Sequence, residues 1–177
     1  MRIRGLIALA VPVVVLYALS ASAMANGDND RSFSARLKGY EETPAINSAG
    51  TGQFSTSLNS NGTSLTYRLS YSGLGSAASV AHIHFGQRAA AGGFVAFLCG
   101  GGNKPTCPAS GAVTGTIVAS DILAVPAQGI AAGDLASVLK AMRAGVAYVN
   151  VHTAVFPSGE VRGQISGNGD DDDDDDD

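Results

Sequence analysis

Charge is scarce in this sequence. Only 15% of its 177 residues are Asp, Glu, Lys or Arg, and eight of the fifteen acids form one terminal run, Asp170 to Asp177. Between Asn26 and Gly169 nine Lys/Arg stand against seven Asp/Glu. The body is therefore close to neutral and lacks the basic stripe of a nucleic-acid binder, so nucleic acid is excluded as a partner. Reactive motifs are missing as well. There is no G-x-S-x-G elbow, no P-loop and no H-E-x-x-H helix, and Gly100 to Gly102 open no helix as a dinucleotide fingerprint would. Glu41 and Glu42 are adjacent, and neighbours on a strand face opposite ways, which suits acid/base work poorly.

What the chain has in quantity is glycine, 23 residues, within a composition that is 45% hydrophobic. Disorder goes with low hydrophobicity and high net charge, and Gly costs about 1 kcal/mol in a helix interior. A disordered body and a helical bundle are both disfavoured; one Gly-rich all-β domain fits.

The first 25 residues read as an address. Arg2 and Arg4 form a positive start, Leu6 to Leu19 form a fourteen-residue apolar run broken by Pro12, and Ala23-Met24-Ala25 supplies small residues for cleavage. The run falls short of the roughly 20 residues that span a bilayer. The expectation is a signal peptide over 1–25, a secreted, periplasmic or extracellular chain starting at Asn26, and no membrane span in that chain.

Export changes the reading of the two cysteines, because disulfides persist outside the cytosol. Cys99 and Cys107 bracket a flexible polar loop and are expected to form a bridge. Metal ligation by this pair is disfavoured by its distance from the histidines and the absence of close C-x-x-C spacing.

Alternating patterns predict eight strands. Phe33, Ala35 and Leu37 share one face, as do Phe54, Thr56 and Leu58; Asn59 to Gly62 is a turn, and Leu65, Tyr67, Leu69 and Tyr71 return from it. Further strands are expected at Val80 to Phe85, Phe94 to Leu98, Val113 to Ala119, Val146 to His152 and Glu160 to Ser166. One helix is expected after Asp134, from Leu135, Val138, Leu139 and Met142, stopping at Gly145. The fold class is all-β, a sandwich or barrel with one short α-helix, over residues 26–168. The Asp tail, 169–177, is expected to be disordered, extended and solvated, with loose capture of calcium or of a basic surface as the alternative to a solubilising role.

The chain has three histidines, His82, His84 and His152, all on predicted strands. Residues two apart on a strand share a face, so His82 and His84 project together, and Tyr148, Asn150 and His152 form a second same-side set. If the two strands approach, three neutral imidazoles meet in a set suited to copper or zinc with an open coordination position. The competing reading makes them polar groups hydrogen-bonded to backbone or to Asn150, Thr153 and Glu160. The strand pattern itself requires no cofactor.

The blocks FSARLKGYEETPAINSAGTGQF, AHIHFG followed by GGFVAFL, and GDLASVLKAMRAGVAYVNVHTAVFPSGEVRGQI resemble the successive blocks of the CHRD domain, found in chordin and in exported microbial proteins, from about Phe33 to Ile165. The resemblance implies an immunoglobulin-like β-barrel. Extending chordin's growth-factor antagonism to this chain would be fold-level analogy. A fainter resemblance is to copper/zinc superoxide dismutase, whose copper-side pattern of an H-x-H strand, a later histidine and an arginine is matched by His82, His84, His152 and Arg162, the last as an anion contact. The bridging histidine and the zinc loop of that family have no counterpart here.

Two functions follow as expectations. One is a non-catalytic exported module that binds an extracellular protein, glycan or surface through the face carrying Tyr67, Tyr71 and Tyr148. The other is a copper- or zinc-binding or redox protein using the three histidines. The Cys99 to Cys107 loop and the segment Ala89 to Gly93 are expected at one end of the sandwich, with a partner site near AHIHFG.

Overall fold

The computed structural model describes residues 31–167. The expected signal peptide and the Asp tail lie outside the described residues. The elements are β1 (Ser32–Lys38), β2 (Thr51–Leu58), β3 (Ser64–Ser72), β4 (Ala78–Phe85), β5 (Gly93–Cys99), β6 (Gly111–Val118), α1 (Leu135–Arg143), β7 (Ala147–Thr153), β8 (Val161–Gln164) and the two-residue β9 (Ser166–Gly167). All ladders are antiparallel, in the order β5-β4-β7-β8-β1-β2-β3-β6, with β9 also pairing β1. The sheet curls into a nearly closed barrel. Tyr67 on β3, the strand next to β6, donates across the barrel to the Leu98 carbonyl of β5 at 2.6 Å, tying one edge of the sheet to the strand beside the other edge.

The period-2 pattern is the cause of this arrangement, since a strand with one apolar face is stable only when that face is covered. Phe33, Leu37, Phe54, Leu65 and Leu69 fill the interior beside Ile83, Val149 and Val151. The Asn59 turn joins β2 to β3 as expected: Gly62 N–H donates to the Asn59 carbonyl at 3.0 Å, and the Asn59 side chain accepts from Thr63 N–H at 2.8 Å. Helix α1 is capped by Asp134, which accepts from Ser137 N–H at 2.9 Å, an interaction worth about 1 kcal/mol. Its Leu135, Val138, Leu139 and Met142 are buried.

Cys99 and Cys107 are joined by a disulfide, with Cα atoms 5.0 Å apart.

Several expectations need correction. Tyr67, Tyr71 and Tyr148 do not form a binding face; all three are buried. The hydroxyls of Tyr67 and Tyr71 are satisfied internally by the Leu98 and Pro108 carbonyls, which is what lets a phenol face a core. The disulfide loop and the Ala89 to Gly93 segment are at opposite ends of β5, because Gly93 starts that strand and Cys99 ends it. Glu41 and Glu42 are not on a strand. Glu41 closes a 3-10 turn, Gly39–Glu41, and pairs with Arg88, while Glu42 turns inward. The last expected strand is divided into β8 and β9 around Ile165, whose N–H donates to Ala147 O.

Candidate metal centre

The histidines lie on the side of β4 and β7 that faces away from the barrel core. Ile83, Val149 and Val151 point inward, and the register sets His82 beside Asn150, His84 beside Tyr148 and His152 beside Val80. His82 and His152 are thus diagonal neighbours on adjacent strands. Although this is the outer face, His82 and His84 are buried and His152 half-buried.

Their cover is largely aromatic. His82 stacks on Phe94 at 4.5 Å between ring centres and touches Phe97 at 4.8 Å. Phe94 is 39% exposed, so the cluster meets solvent past Phe94 and the half-buried His152. His84 stacks on Tyr148 at 4.7 Å with the rings nearly parallel, and the Arg162 guanidinium lies 3.5 Å from the centre of the same ring.

Backbone carbonyls orient two of the imidazoles. His84 Nδ1 is 2.9 Å from Gly92 O, and His152 Nδ1 is 3.0 Å from Pro157 O. A ring nitrogen facing a carbonyl carries the proton, which leaves Nε2 of each ring as a lone pair. Gly92 is required for its contact. A Cβ there would sit 1.8 Å from the Phe85 carbonyl, so a larger residue would move the strand end that holds His84.

The ring nitrogens converge. One from each histidine lies within 4.8 Å of the others, and His82 Nδ1 is 3.2 Å from His152 Nε2. His84 Nε2 is buried with no hydrogen-bond partner. Burial, reinforced by the other two imidazoles, pushes His82 down to about 3, and burial pushes His84 down to about 4. Burial lowers His152 too. The rings are neutral at pH 7, the state that ligates a metal.

These donors fit a tetrahedral ion in chemistry and nearly in spacing. Bonds of 2.0–2.1 Å place tetrahedral ligands roughly 3.4 Å apart, so the His82/His152 pair is already near that separation, while the widest pair would close by about 1.4 Å. Among the described residues no fourth His, Cys, Asp or Glu joins this group.

Beneath the imidazoles lies a polar layer that the sequence did not reveal. Burial pushes Glu42 up to about 7 against the pull of the Arg162 charge, and one of its oxygens has no hydrogen-bond partner. Asn150 bridges Glu42 and His152, its Oδ1 standing 3.0 Å from His152 Nε2. A neutral imidazole has one N–H, so His152 cannot donate to both Pro157 and Asn150. Donation to Pro157 favours an Asn150 amide turned with its N–H toward Nε2 and its oxygen toward a protonated Glu42. Gly159 makes room for this layer, since a Cβ there would meet Glu42 Oε1 at 2.4 Å.

Arg162 is 2% exposed and is bound by Thr43 Oγ1 at 3.1 Å and the Gln87 carbonyl at 3.0 Å. A solvent-facing anion contact does not suit so enclosed a guanidinium; its place behind Tyr148 makes it a structural cation. Thr153 and Glu160 bond each other at 2.7 Å rather than the histidines, whereas Asn150 does contact His152.

An antiparallel β-barrel with a buried three-histidine cluster on its outer face defines the class of protein. The model of the CHRD domain family matches residues 33–165, and the chain belongs to that family. No curated protein and no solved structure matches it. No helix among the described residues is long and apolar enough to cross a membrane.

Proposed function

We propose that this protein is an exported, non-catalytic CHRD-domain module whose ligand is one copper or zinc ion, held by His82, His84 and His152. The observation that carries this reading is His84 Nε2, a buried lone pair without a hydrogen-bond partner in a ring whose other nitrogen is fixed by Gly92 O. An unpaired buried polar atom is costly, and ligation would satisfy it. A carbonyl on the far nitrogen is the usual support of a ligating histidine. When bound, such an ion supplies a Lewis-acidic centre, redox-active in the case of copper. The chain's own residues hold it: Gly92 and Pro157 set the tautomers, Phe94 and Phe97 shield His82, and Tyr148 stacks on His84.

Export is part of the reading, supported by the disulfide and by the charged start and apolar run of the first 25 residues. The tyrosines expected to present a face to a protein or glycan partner are buried, so that face does not carry such a partner.

The test is copper and zinc titration of the wild type beside His82→Ala, His84→Ala and His152→Ala, followed by calorimetry. One tight site per chain, weakened by roughly 100-fold or more in each variant, is expected. Equal, weak binding in all four proteins would overturn the reading.

A further inference from the structure

Away from the histidines, the outward face of β1, β2, β3 and β6 carries a groove of about 710 Å³. The register sets Arg36 in a row with Gln53 and Ser70, Lys38 with Thr51 and Ser72, and Arg68 with Ser55 and Thr114. Arg36, Lys38 and Arg68 are exposed, and all three line the groove. The four strands contain these three cations and no Asp or Glu. Among the described residues, no carboxylate forms an ion pair with any of them. A concave, hydroxyl-lined face with charge of one sign attracts an extended polyanion.

The chain contains one. Asp170 to Asp177 are eight successive carboxylates. They follow β9 after only Asn168 and Gly169, and β9 pairs with Phe33 and Ser34 of β1, the strand that bears Arg36 and Lys38. Eight extended residues reach roughly 27 Å. The Cα atoms of Arg36 and Lys38 are about 7 Å apart along β1, and β3 with Arg68 is two strand spacings, about 10 Å, away. The tail can therefore turn back and reach every cation. Tethering gives it an effective concentration in the millimolar range, an advantage that no dilute outside polyanion has.

We infer that the Asp170–Asp177 tail docks in the groove over β1, β2 and β3, held by Arg36, Lys38 and Arg68. The contact is electrostatic and salt-sensitive, and it shields the groove from other anions.

Zero-length carbodiimide cross-linking of the full chain, read by mass spectrometry, tests this. The chain has three lysines, Lys38, Lys104 and Lys140. Lys104 is buried against Asp121, while Lys140 is exposed on α1, which packs against β9 and so gives an internal control near the root of the tail. At about 0.01 M salt the Lys38-to-tail product should exceed the Lys140-to-tail product by at least about fivefold, and about 0.5 M salt should remove the excess. Arg36→Gln with Arg68→Gln should bring the Lys38 product to the Lys140 level; both positions are exposed, so the fold is kept. Equal yields at low salt, or an excess that survives both substitutions, would overturn the proposal. So would a sulfated polysaccharide that bound the full chain as tightly as a chain ending at Gly169, an outcome that would assign the groove to an outside partner.

Discussion

His82 Nδ1 and His152 Nε2 face each other at 3.2 Å across adjacent strands, although 70 positions separate them in the chain. The antiparallel pairing of β4 with β7 makes them diagonal neighbours, and the carbonyls of Gly92 and Pro157 orient the His84 and His152 rings beside them.

Gly92→Ala tests whether the orientation of His84 matters. The added methyl would displace the Phe85 carbonyl and with it the Gly92 carbonyl that fixes the ring. Metal affinity should fall by roughly 10–100-fold with all three histidines intact, as measured by titration. Unchanged affinity in a folded variant would show that the carbonyl is dispensable.

Stability should depend on pH with a defined sign. His82 and His84 titrate near 3 and 4 in the folded chain against 6.5 for an ordinary histidine, so the unfolded chain binds more protons in between. Their contribution is complete above pH 6.5 and is lost as pH falls, by about 1.4 kcal/mol per pH unit for each histidine. Glu42 acts oppositely: raised from 4.5 to about 7, it contributes stability below pH 4.5 that is lost as pH rises through 7. Urea midpoints should climb from pH 4.5 to about 6.5 and level off near 7, because Glu42 offsets about half of the histidine slope over that range. Glu42→Gln should steepen the climb between pH 4.5 and 7, and a flat wild-type profile would contradict this assignment.

Glu160 is fully buried and accepts from Ser48 Oγ, Gly75 N–H and Thr153 Oγ1 at 2.6–2.7 Å. It thereby ties the β7 to β8 connection, which also carries Pro157, to two distant loops. Glu160→Ala strands three donors and should cost about 3–5 kcal/mol in chemical denaturation. A loss below about 1 kcal/mol would mean that water replaces the carboxylate.

The disulfide should be separable from the histidines, because Cys99 ends β5 while Gly92 and Gly93 lie at its start. Cys99→Ser with Cys107→Ser should lower stability by about 2.5 kcal/mol on the loop-entropy account and leave metal affinity unchanged. Loss of metal binding in the folded double variant would contradict that separation.

The strands were legible because a half-buried strand writes its burial into every second residue. The same rule placed His82 with His84 and Asn150 with His152. Convergence of the two pairs was not legible, since it depends on which strands adjoin, and β4 meets β7 only after two intervening strands, two 3-10 turns and a helix. Tyr67 and Tyr71 were misread as a surface although they alternate in step with Leu65 and Leu69. That face is core, and a phenol is tolerated there because carbonyls take its proton. Glu42 left no periodic signal, because a 3-10 turn rather than a strand aims it at Asn150.

The most direct test is X-ray absorption on the chain ending at Gly169, loaded with one equivalent of copper or zinc, so that the aspartate run cannot compete for the ion. Three imidazole nitrogens at about 2.0–2.1 Å, with one fewer in His84→Ala, are the predicted result. A shell dominated by oxygen, or one that is the same in the variant, would contradict the three-histidine centre.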